Sequence, residues 1–113
     1  MPFSAPLRVT VEIRLGDVDE GAPRADVTRF FRCSEQIALP PRLDLAHGLP
    51  IAGDAPARVR FALPAAQTPF DVIARVRYDP EQPQRGAAVF LEGLAPEQLE
   101  QVEHYIAQRN LQP

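Results

Sequence analysis

The chain contains no lysine: all 12 of its basic residues are arginine. Asparagine is nearly absent as well, with Asn110 alone, while alanine, proline and glycine are plentiful. That combination is the mark of a GC-rich coding bias, so arginine in place of lysine is not read as a functional choice. There is one cysteine, Cys33. One thiol closes no internal disulfide and builds no zinc site alone. It reads as a small, half-buried apolar residue in a reducing compartment. No window approaches the roughly 18 consecutive apolar residues of a membrane span. The start, MPFSAPLR, lacks the basic end and apolar run of a signal peptide. These absences predict a cytoplasmic protein without membrane insertion. The formal net charge of -3 argues against a general nucleic-acid or membrane-surface binder, which needs clustered positive charge.

What is present suits one domain spanning 1–113, long enough to bury roughly 65% of the unfolded surface in a modest core. The stretch LRVTVEIRL places Leu7, Val9, Val11, Ile13 and Leu15 on one face and Arg8, Thr10, Glu12 and Arg14 on the other. That is the period of a strand with one dry face. GDVDEGAPRAD is turn-rich. VTRFFR reads as a second strand and QIAL as a short third, separated by a break at Cys33, Ser34 and Glu35. Pro40 and Pro41 end the ladder because neither has an N–H. The stretch from Arg42 to Pro56 reads as loop with extended pieces. ARVRFAL alternates Val59, Phe61 and Leu63 with Arg58 and Arg60. FDVIARVRY alternates Phe70, Val72, Ala74, Val76 and Tyr78 with Asp71, Arg75 and Arg77, and Ile73 is out of pattern. AAVFLEGL is the sixth strand. The period then changes: Leu99, Val102 and Ile106 mark an amphipathic helix over about 96–109, opened by Pro96 and stapled by Leu94 and Leu99. The expected architecture is mainly β: a six-stranded antiparallel barrel, with its strands within 7–92, and a C-terminal helix.

Catalytic constellations are missing. His47 lies in a Pro/Gly loop and His104 on the helix, and both read as solvated. No HExxH, CxxC, GxSxG or phosphate-loop spacing occurs. Asp17, Asp19 and Glu20 share a loop but lack the spacing of a calcium loop. The sequence therefore predicts no enzyme, no metal and no cofactor. Six arginines fall on polar strand faces: Arg8, Arg14, Arg58, Arg60, Arg75 and Arg77. Cross-strand acids balancing them is the plainer reading. An anion or partner surface is the sharper one, with Arg58, Arg60, Arg75 and Arg77 as its candidates.

The VRFAL strand, the ARVRY strand and the closing AAVFLEGLAPEQLEQVEHYI together resemble a PilZ domain, and the likeness runs from about Leu7 to the helix. That family has a six-stranded antiparallel barrel with a C-terminal helix, and many members are receptors for cyclic di-GMP. The resemblance implies two binding motifs. R-x-x-x-R falls on SAPLR, where Arg8 matches the second arginine and Ser4 replaces the first. [D/N]-x-S-x-x-G falls on RCSEQI, where Ser34 matches, Arg32 replaces the acid or amide, and Ile37 replaces the glycine. Arg32 offers donors where acceptors are needed. Ile37 resists the close backbone approach that glycine allows. Two lost bonds to charged groups cost roughly 3–6 kcal/mol, about a hundred- to ten-thousand-fold in affinity. Cyclic di-GMP is thus a disfavoured ligand. The resemblance implies a small adaptor that binds another bacterial protein, in motility or type IV pilus regulation, with no nucleic-acid partner. The alternative is a receptor with an altered motif, in which Arg8, Arg29, Arg32 and Ser34 gather an anion.

Overall fold

The computed structural model describes residues 3–15, 28–46, 53–64, 68–78, 81 and 86–111. In chain order the elements are β1 (Ser4–Pro6), β2 (Thr10–Leu15), β3 (Thr28–Ala38), β4 (Arg42–Leu45), β5 (Gly53–Phe61), β6 (Phe70–Tyr78), β7 (Ala87–Phe90) and α1 (Pro96–Leu111). Neighbouring strands pair antiparallel in the order β1-β3-β2-β5-β6-β7-β4, and a β3–β4 pairing closes the ring. Six strands therefore form a closed barrel, with β1 as an outer seventh on β3.

The barrel has six strands, but not the six the sequence suggests. The two strands expected on either side of Cys33–Glu35 are one 11-residue strand, β3. The break is a β-bulge. Ser34 faces Leu45 and Gln36 faces Asp44, so Glu35 is the extra residue that β4 does not match. The missing sixth strand comes from Arg42–Leu45, expected as loop, which reverses direction directly after Pro40 and Pro41. Its four residues, with Leu43 and Leu45 inward, are too short for a periodic signal to stand out. β5 likewise begins four residues early, at Gly53. The loop residues Asp17, Asp19, Glu20 and His47 lie outside the described residues.

Alternation decides what is inside. Val11 and Ile13 of β2, Val59 and Phe61 of β5, Phe70, Val72 and Val76 of β6, and Val89 of β7 are buried. Burying each such side chain contributes about 1.5–3 kcal/mol relative to exposure. Phe61 and Phe70 face each other across β5–β6 with ring centroids 5.0 Å apart. Ile73, out of pattern in the sequence, is exposed on the outer surface.

The helix adds Val102 and Ile106 to the same core, while Leu99 is only half-buried. Its first turn is closed by Gln98, whose side-chain oxygen accepts from the backbone N–H of Ala95 at 2.8 Å, the reciprocal half of a capping box. The helix is tied to β1 by two bonds: Tyr105 donates to the Pro6 carbonyl at 2.7 Å, and Asn110 donates to the Ser4 carbonyl at 3.0 Å. No helix among the described residues is long and apolar enough to cross a membrane.

Gly86 enters β7 at φ +66°, and a Cβ there would strike the backbone carbonyl oxygen of Leu45. Gly86→Ala is therefore expected to cost at least about 1–3 kcal/mol, read as a lowered midpoint in chemical denaturation.

Candidate functional site

Ser34 is the one buried polar residue among the described positions, 1% exposed. It sits where β3 passes from pairing with β2 to pairing with β1. Opposite it, Leu7–Val9 leave the ladder. Two backbone–backbone bonds and one from a backbone N–H to the Ser34 side chain bridge this gap. The Ser34 N–H donates to the Val9 carbonyl at 3.0 Å, and the Leu7 N–H donates to the Glu35 carbonyl at 3.1 Å. The Val9 N–H donates to Ser34 Oγ at 3.2 Å. The hydroxyl's single proton goes to the Leu7 carbonyl. Ser34 is thus buried inside the wall, with its hydroxyl engaged by the backbone of Leu7 and Val9.

Of the other motif positions, Arg8 stands across from it, between the Leu7 and Val9 groups that Ser34 binds. Arg8 lies in the Leu7–Val9 break, exposed, between half-buried Val9 and buried Leu7. Arg32 takes an inward register position opposite buried Val11. Its guanidinium stacks on Phe30, 5.4 Å from the ring centre, and donates to the Phe31 carbonyl at 2.8 Å. Ile37 is fully buried between Ala5 and Leu43. Arg29 pairs with Glu12 at 3.0 Å. Cys33, expected half-buried, is exposed, in register with exposed Thr10 on the outer face. His104 is exposed on the helix. Among the described residues no three His, Cys, Asp or Glu side chains cluster as metal ligands.

The outer face divides the arginines into two groups. On β2, β5 and β6, Asp71 is held by Arg14 at 2.5 Å and by Arg58 at 2.8 Å. Partial burial pushes the Asp71 carboxyl up. The hydrogen bond from Arg58 and the charges of Arg14 and Arg58 outweigh it, so Asp71 stays below its ordinary value of 3.8. Arg60, in register with Glu12 and Asp71, is exposed. Further along β6 the pairs are looser: Arg75 to Asp54 at 3.3 Å, Arg75 to Glu92 at 3.5 Å and Arg77 to Asp54 at 3.5 Å. Long, exposed pairs of this kind contribute little stability and exchange easily.

Arg75 and Arg77 also line a groove of about 360 Å³. Phe90, the last residue of β7, Leu91 and Glu92 just after it, and Pro40 and Pro41 line the rest of it. The register β6–β7–β4 puts Phe90 between Arg75 and Arg42, and the Arg77 guanidinium lies over its ring, 5.4 Å from the centre. The Leu91 N–H donates to the Pro41 carbonyl at 3.0 Å, which fixes the proline turn against β7. Of the four candidate surface arginines, then, two line the groove, Arg58 is locked to Asp71, and Arg60 lies apart. The sequence reading missed Phe90 and the prolines as surface. Their signal was parity: once Ala87 and Val89 face inward, Phe90 must face out.

No protein-family model, curated protein or solved structure matches the chain.

Two outcomes test this division. Ser34→Ala leaves the Leu7 carbonyl and the Val9 N–H buried without their partner, and is expected to destabilise the fold by about 1–3 kcal/mol in urea denaturation. Because the Asp71 pKa is lowered on folding, its contribution is present above its ordinary value and lost as pH falls through the folded one. Stability is expected to decline below about pH 4, and Asp71→Asn to flatten that decline. It should also cost about 1 kcal/mol near neutral pH, allowing for the solvent exposure of the pair, measured as a melting-temperature series against pH.

Proposed function

We propose that the chain is a PilZ-like module that acts without catalysis, by protein–protein contact, in the regulation of bacterial motility or type IV pili, and that it binds cyclic di-GMP weakly or not at all. Fold alone assigns no activity, so the reading rests on the site. The observation that carries it is the engagement of Ser34. Its hydroxyl serves the barrel wall, and the residues that should stand beside it in a nucleotide site are turned to other work: Arg32 to Phe30 and Ile37 to the core. The looser charge pairs lie elsewhere, at Arg75 and Arg77, beside half-buried Phe90. Charge, aromatic surface and concavity at one place are what a docking surface needs.

Two measurements test the reading. Calorimetric titration with cyclic di-GMP is expected to give no binding tighter than about 10 µM, and a tighter value overturns it. In-cell crosslinking with Arg75→Glu/Arg77→Glu is expected to lose partners that the unaltered chain captures, with the melting temperature unchanged. Identical capture by both chains removes the groove from the interface.

A further inference from the structure

We infer that the groove takes an extended peptide segment of a partner protein that carries an aromatic or leucine-sized side chain beside one or two carboxylates. This deepens, and rests on, the reading of the groove as a docking surface. The dimensions set the size of the occupant. A volume of about 360 Å³ is near the low end for a bound molecule, enough for one large side chain and an adjoining acidic group. The lining sets its polarity. Phe90, Leu91, Pro40 and Pro41 offer apolar surface, with Phe90 half-buried and therefore half-available. The prolines are already rigid, so covering them orders little that is loose.

The charge pattern sets the neighbouring group. Among the described residues, the acids that pair with both guanidiniums stand at 3.3–3.5 Å, and the arginine side chains remain 42% and 62% exposed. An incoming carboxylate can replace Asp54 or Glu92 on either arginine in the shorter, paired geometry that arginine favours. The contrast with Asp71 is internal to the same barrel: there the bonds are shorter, 2.5 and 2.8 Å. Arg77 is also held in place before any partner arrives, because its guanidinium rests on Phe90. That stacking places a donor fork at the edge of the apolar lining, so the carboxylate and the apolar side chain must be close together in the partner. A lysine-bearing segment would instead place like charge against Arg75 and Arg77.

The test uses the full chain and a blocked five-residue peptide, Gly-Phe-Asp-Asp-Gly, followed by amide shifts in two-dimensional NMR. The expected result is a set of shifts at Arg75, Arg77, Leu91 and Glu92, with a dissociation constant on the order of 100 µM that weakens as salt is raised. Arg77→Glu is expected to weaken binding about tenfold or more. Arg77→Ser, a milder change, and replacing the peptide's phenylalanine by alanine should each weaken it as well. The inference is overturned by no shift at these residues with 1 mM peptide. It is equally overturned if a Gly-Phe-Lys-Lys-Gly peptide binds as well, or if acetate or cyclic di-GMP reproduces the same shifts. If the double arginine variant still loses partners in cells while the peptide does not bind, the peptide chemistry is wrong and the docking surface stands. If neither changes, both fall.

Discussion

The barrel depends on a single hydroxyl at its seam. β3 must pair with β2 and then β1 along one edge while β4 takes the other, and the strand achieves this by a bulge at Glu35. A bulge re-aims a strand and leaves its own extra residue unpaired. On the opposite edge of β3 the chain leaves the ladder between β1 and β2, and the Leu7 carbonyl and Val9 N–H there lie at the wall, where an unsatisfied amide or carbonyl is costly. Ser34 matches both, accepting from one and donating to the other. A serine is the smallest side chain able to do so from the bulge, and its burial follows from the task. The helix inherits the arrangement, because its ties reach β1 and β1 is positioned by β3.

The same sheet treats its surface charges in two ways, and distance separates them. Asp71 between Arg14 and Arg58 stitches three strands, and its carboxyl is held ionised by the arrangement. Asp54 and Glu92 meet Arg75 and Arg77 only loosely. The balance between cross-strand acids and a free surface is therefore not a property of the whole face. It holds on the β2–β5 side and loosens toward β7, where the barrel surface is also concave and aromatic.

Much of this architecture was readable from alternation. β2, β6 and the inner positions of β5 follow period two, and the helix follows its own period. What escaped reading had physical causes. A bulge breaks the period as a turn does, so Cys33–Glu35 looked like a chain reversal although β3 runs through it. β4 holds four residues, two inward, which is below the length at which alternation differs from chance. The groove is assembled from β6, the end of β7 and the proline turn, segments far apart in sequence that only closure of the ring brings together. Pro40 and Pro41 announced the end of a strand, and nothing local marked them as groove lining.

A serine in register with a ligand motif is weak evidence for the ligand when the backbone alone requires it. Ser34 answers a need that exists whether or not a nucleotide binds, so its presence says nothing about one. Among the neighbouring positions, Ile37 decides more than Arg32. A glycine at that position would let a ligand approach the backbone closely. Ile37 instead is fully buried, facing Ala5 on one side and Leu43 on the other. Replacing it by glycine would open a cavity at the meeting of β1, β3 and β4, at a cost of several kcal/mol by the measure of large-to-small core changes. The departure from the motif is thus built into the packing of the seam. A glycine at position 37 would undermine the strand pairing that Ser34 holds together.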